Sequence, residues 1–171
     1  SVMTSSRSPG VLGVYGFRNR KDHSYDAMGF ADSRAVRVPR VWDILSAKGR
    51  HVVVLGVPQT YPVSPVNGVM VSCFLTPDTT RQYTYPPALK QEIEALVGEY
   101  MVDVPNFRTE DKERVLRDIE VMTERRFRHV PVVVDGVGAV RLDTCGLGGA
   151  VVVLAVEQAV VVAVGAVGAV A

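Results

Sequence analysis

Residues 39–57 read PRVWDILSAKGRHVVVLGV, and this stretch decides the fold class. Its first half is patterned for a helix and its second half for a buried strand. Val41, Trp42, Ile44 and Leu45 form an apolar face at helical spacing. Pro39 suits a first helical turn and Gly49 a C-terminal stop, so the pattern predicts a helix over 39–48. The run His51-Val52-Val53-Val54-Leu55-Gly56-Val57 follows directly, β-branched and with little alternation. Such a run suits a strand covered on both faces, as in a parallel sheet.

A second strand is predicted over 69–74, VMVSCF. Pro86 and Pro87 lead into Leu89, Ile93, Leu96 and Val97, a helical pattern from about 86 to 98. Another helix is predicted over 110–128. Thr109 can cap it, and Glu110 and Asp111 favour its positive end. Val115, Leu116, Ile119 and Met122 make its apolar stripe. Arg125, Arg126 and Arg128 are read as its solvated, dipole-compensating end rather than as an anion patch. Helix, buried strand, loop, helix is the order of an α/β fold, with a mostly parallel sheet and flanking helices. The loop over 58–68, PQTYPVSPVNG, leaves the carboxyl end of the first strand, where open α/β sheets place ligands. A stiff connector is an equally good reading of it.

With 171 residues, 47% hydrophobic and 22% charged, the chain has a globular composition and enough length for one core. A net charge of +1 gives no bulk electrostatic reason to expect nucleic acid or an anionic membrane. Cys73 and Cys145 match no zinc or redox spacing and read as reduced thiols, which fits a cytoplasmic protein. No signal peptide is visible. Ser1-Val2-Met3-Thr4 reads as the middle of a longer sequence.

Composition divides the chain into residues 1–129, varied and read as a partial α/β domain, and residues 130–171, a Val/Ala/Gly-rich tail. A membrane helix at about 150–171 is opposed by Glu157 and Gln158, and Gly165 and Gly168 dilute it. Membrane contact is therefore not expected. A pair of buried strands is a second reading of the tail. The favoured reading is a shifted frame through GC-rich DNA, because Val, Ala, Gly, Asp and Glu all use codons beginning with G. An exposed Val/Ala run of this kind is also an aggregation hazard.

No G-x-x-x-x-G-K-[ST], G-x-S-x-G or H-E-x-x-H motif occurs. Of the three histidines, His51 begins a strand and His129 ends a helix. Asp22, His23 and Asp26 are near-adjacent in a polar loop, a weak metal pattern, and no metal ligand is assigned.

One resemblance is more informative. Pro9-Gly10-Val11-Leu12-Gly13-Val14-Tyr15-Gly16-Phe17-Arg18 resembles the N-P-G-x-H-G-[IV]-[YF]-[DG]-F stretch of the alkaline phosphatase superfamily. More narrowly, it is similar to the type I phosphodiesterase/nucleotide pyrophosphatase group. Val41-Trp42-Asp43-Ile44-Leu45, Val57-Pro58-Gln59-Thr60-Tyr61-Pro62, Asn67-Gly68, Thr76-Pro77-Asp78 and Tyr85-Pro86 continue the likeness over residues 1–129. The resemblance implies an alkaline-phosphatase-like layered fold, here incomplete, and a phosphate-ester small molecule as substrate. In the intact family it implies two divalent cations, usually zinc. These hold the phosphoryl oxygens and activate a Thr or Ser hydroxyl.

The departures from the pattern matter as much. The family nucleophile would lie just before Ser1. Thr4 and Ser5 are hydroxyls near that place but not the matching ones. Leu12 stands where the family has His, and no D-x-x-x-H or D-H-G segment follows. Val134-Asp135-Gly136 is out of place for a metal ligand and reads as a turn. The expectation is a phosphodiesterase-like fragment without its catalytic set. The alternative is a non-catalytic α/β binding or interaction domain, with the loops at 9–25 and 58–68 as its ligand surface.

Overall fold

In the computed structural model, residues 8–20, 22, 26–134, 151–156 and 159–164 are described. The elements in chain order are α1 (Pro9–Leu12), β1 (Arg18–Arg20), β2 (Met28–Phe30), α2 (Val41–Ala47), β3 (His51–Leu55), β4 (Gly68–Val71), β5 (Thr84–Tyr85), α3 (Ala88–Val97), α4 (Lys112–Val134), β6 (Val151–Val156) and β7 (Ala159–Val164). A short 3-10 turn, Ser33–Ala35, precedes α2. The chain is a mixed α/β protein.

The core is built around β3. Val52, Val53 and Val54 are wholly buried, as the unbroken valine run predicts. Successive side chains point to opposite faces. Val53 and Leu55 join Val71, Tyr83, Leu89, Ile93 and Tyr100 on one side of the sheet. Val52 and Val54 join Trp42, Val57, Val66 and Met70 on the other. So α3 covers one face and α2 the opposite one.

The sheet order is β5-β4-β3-β7-β6. The central strand is parallel to both neighbours, Val53 pairing with Val69 on one side and Val161 on the other. Both outer pairs, β4–β5 and β6–β7, are antiparallel. The sheet is therefore mixed rather than mostly parallel. Connection length explains the β6–β7 edge, because a parallel pair needs a long crossover. Residues 157–158 can only join a hairpin, whereas the 56–67 segment is long enough to cross over. That crossover runs on the α2 side, where Val57 and Val66 join the core.

Helix ends differ from the sequence reading in two places. Pro39 lies outside α2, which begins after Arg40. The Arg40 backbone N–H donates to Asp43 Oδ2 at 2.8 Å, so the carboxylate of the first turn fixes the start. At α4, the Arg114 N–H donates to Asp111 Oδ1 at 3.0 Å. Asp111, not Thr109, caps that helix; Thr109 Oγ1 accepts from the Asp111 N–H at 3.3 Å.

The predicted end at 128 is also overrun, since α4 continues to Val134. Arg125, Arg126 and Arg128 thus lie inside the helix and do not compensate its terminus. Arg125 donates to the Glu99 carbonyl, and Arg126 Nη2 donates to the Val102 carbonyl at 2.6 Å. These two tie α4 to the segment after α3, while Arg128 pairs with Glu124. Met122 is buried as the apolar stripe predicts, but Leu116 is 51% exposed.

Among the described residues no helix is long and apolar enough to cross a membrane. The tail contributes the β6–β7 hairpin. Cys145, Asp135, Gly136, Glu157, Gln158, Gly165 and Gly168 lie outside the described residues.

Under α3, the rings of Tyr83 and Tyr100 stack at 4.9 Å with planes 8° apart. Tyr83 Oη donates to Glu94 Oε1 at 3.3 Å. Burial pushes both phenols above the ordinary tyrosine value, with Glu94 adding to the rise at Tyr83 and Arg126 opposing it at Tyr100. The folded state therefore prefers the neutral phenols. Their contribution is complete below the unfolded value of about 10 and is lost as pH rises through the raised folded values. The urea midpoint is expected to fall from about pH 10 upward. The double variant Tyr83→Phe/Tyr100→Phe should show a shallower alkaline decline, and an unchanged decline would refute this assignment.

Candidate functional site

The carboxyl ends of β3 and β4 lie side by side, and three loops meet there. The Gly56 N–H donates to the Val71 carbonyl at 2.9 Å, joining the two strand ends. Gly56 and Gln59 both take positive φ, 61° and 62°. The second is uncommon for a residue with a side chain. Thr60 is wholly buried and its hydroxyl donates to the Val57 carbonyl at 2.6 Å.

After β4, the Thr76 hydroxyl donates to the Cys73 carbonyl at 2.7 Å. Thr76 has one hydroxyl proton, so in its 2.6 Å contact with Ser72 the serine is the donor. The protons of these three buried hydroxyls are thus committed to the chain itself. They brace the loops.

The PGVLG segment supplies the third part. Its single helical turn, α1, closes on Gly13, whose N–H donates to the Pro9 carbonyl at 2.8 Å. Gly13 has φ 85°, and a Cβ there would overlap the Ala35 carbonyl oxygen and lie 2.9 Å from Arg37 Cγ. Glycine is required for this close approach. Leu12, where the family pattern has His, is buried, and its carbonyl accepts from the Arg37 N–H at 2.9 Å. The motif is here an apolar fastening.

Further bonds bring the loops together. The Ala31 N–H donates to the Phe17 carbonyl at 2.8 Å. The Ser33 N–H donates to the Tyr61 carbonyl at 2.8 Å, and its hydroxyl to the Pro62 carbonyl at 2.6 Å. The Phe17 and Phe74 rings lie 6.1 Å apart. Thus the segment 9–33 reaches both the 58–62 loop and the turn after β4. Arg40 fixes the same loop from the far side, with Nη2 donating to Ser64 Oγ at 3.2 Å.

The surface so formed is aromatic and basic. Phe17 is 54% exposed, Phe30 66% and Phe74 41%. The Arg18 guanidinium lies 5.7 Å from the Phe30 ring centroid. Sequence reasoning missed these exposed rings. Their signal was the placement of Phe17 and Phe30 in polar, non-periodic text.

No family model, curated protein or solved structure matches the chain.

The two cations of the resembled family were tested against this geometry. A two-metal site needs roughly six Asp/His donors. Among the described residues, no group of three or more His, Cys, Asp or Glu could hold even one ion. Nearby carboxylates have other work. The Arg34 side chain, bonded to Asp32, holds that carboxyl below the usual range, and the Thr80 hydroxyl does the same for Asp78. Asp43 pairs with Arg40. Asp22 and Asp26 are exposed between β1 and β2. The described residues do not fit a two-metal centre. His23, Thr4 and Ser5 lie outside them.

Proposed function

We propose that the chain is part of a metal-dependent phosphoesterase of the alkaline phosphatase superfamily. In this reading it shapes the side of the fold that receives a phosphate-ester small molecule and does not hydrolyse it unaided. The layered fold would be a partial form of that superfamily's. One observation carries the reading. The segments that bear the resemblance, around Gly13, Tyr61 and Thr76, converge at the carboxyl edge of the parallel pair β3–β4. Open α/β sheets bind ligands at that edge. Leu12 in place of the motif histidine supports the lack of unaided hydrolysis in this reading. A reducing, cytoplasmic setting accords with the buried free thiol of Cys73.

The exposed rings of Phe17 and Phe74, in contact with each other, and of Phe30, beside Arg18, favour a second reading, a non-catalytic binding or interaction domain. The full chain should be assayed with bis-p-nitrophenyl phosphate in zinc or manganese. The expected result is release of p-nitrophenolate no faster than in the metal-free control. Clear metal-dependent release would overturn the inactive-fragment reading. Titration with p-nitrophenyl phosphate then separates the alternatives. Resonance shifts confined to the carboxyl-edge loops support the phosphoester reading, and their absence leaves the interaction domain.

A further inference from the structure

The two edges of the main sheet are unlike. At one end β5 is only two residues long and runs straight into Pro86 and Pro87. Such an edge is too short, and too poor in donors, to template another strand. At the other end β6 is six residues long, Val-Val-Val-Leu-Ala-Val. It contains no charge, no proline and no glycine. Among the described residues it pairs on one side only, with β7, along its whole length from Val151↔Val164 to Val156↔Ala159. In an antiparallel ladder every second residue turns its N–H and C=O away from its partner. The outer side of β6 therefore carries a row of backbone donors and acceptors.

We propose that β6 pairs with β6 of a second copy of this chain, antiparallel about a twofold axis. A strand edge is complementary to itself under that operation, because each donor meets an acceptor. With the axis at Val153, Val153 faces Val153 of the other copy, Val152 faces Leu154 and Val151 faces Ala155. Each facing pair is aliphatic, and no like charges meet, as they would across a strand carrying lysine or glutamate. Long-range repulsion is also slight, since the whole chain has a net charge of +1. The same uncharged, β-branched window allows growth beyond the dimer by stacking.

The test uses the full chain. Sedimentation velocity across the micromolar range should show mass rising with concentration. Hydrogen exchange at low and high concentration should show protection gained at 151–156 and not at 84–85. Val153→Lys sets two like charges face to face on the axis and should leave the chain monomeric over the same range. Trp42, the single tryptophan and 1% exposed, reports through its emission whether the variant keeps its core. A monomer at every concentration would refute the proposal. So would association in which the added protection lies on another element, a readout that stands even if Val153→Lys fails to fold.

Discussion

Replacing Gly68 with alanine is expected to unfold the chain or to lower its stability by about 4 kcal/mol, at the upper end of single-substitution effects. Gly68 opens β4 opposite Val52, the first wholly buried residue of β3. Its φ is 141°, a region L side chains rarely adopt. A Cβ would overlap the Val52 carbonyl oxygen and stand 2.8 Å from Val52 N and 3.0 Å from its carbonyl carbon. All three are backbone atoms of the central strand, so no rotamer change relieves the contact. Backbone strain alone costs about 1–3 kcal/mol. The remainder comes from prising β4 off β3, which opens both halves of the core. Urea unfolding followed by Trp42 emission would measure it. A loss below about 1 kcal/mol would show that the two strands can separate there without harm.

Trp42→Ala should cost about 3–5 kcal/mol. The indole fills the space between α2 and the Val52–Val54 face of β3, against Val57, Val66 and Met70. The Arg40 guanidinium lies 5.3 Å from its ring centroid, so the substitution also strips one face from a largely buried cation. Trp42→Phe separates volume from polarity. Trp42 Nε1 is buried and has no acceptor in the structure, so phenylalanine loses no hydrogen bond there. It should therefore be much milder than alanine. Circular dichroism must be the probe, since the tryptophan itself is removed. Equal losses for the two variants would show that ring volume is not what the site needs.

These two residues also mark what the sequence made legible. The helix-then-valine pattern around Trp42 disclosed α2, β3 and their double burial, because period and composition are local properties. Gly68 showed as the end of the 58–68 loop and as part of the Asn67-Gly68 likeness, without its structural cause. Its lack of room for a Cβ arises from the Val52 backbone, sixteen positions earlier, and contact at that distance leaves no local trace. The β4–β5 edge was illegible because β5 is two residues long, and the place of β7 beside β3 because the two strands lie far apart in sequence. The helix starts went astray by a residue or two because Asp43 and Asp111 outcompete Pro39 and Thr109 as end signals. Leu116 misled by matching the apolar period while facing outward.

At the site, the motif text located the converging loops but not their contents. Gly13 was marked by the pattern of the resembled family, whereas its physical cause, the carbonyl of Ala35, lies far along the chain. The Phe17–Phe74 contact joins positions that no spacing rule connects.

The strand order has a consequence for the sequence of events in folding. β3 takes β4 as one neighbour soon after it is made, across the 56–67 crossover. Its other neighbour, β7, is drawn from residues 159–164, synthesised long after. Closing that distance carries a large loop-entropy cost before any contact repays it. In the interval β3 has one finished border and one bare one. A nascent chain would therefore pass through a stage in which its central strand waits half-paired, when capture by a chaperone or by another chain is most probable.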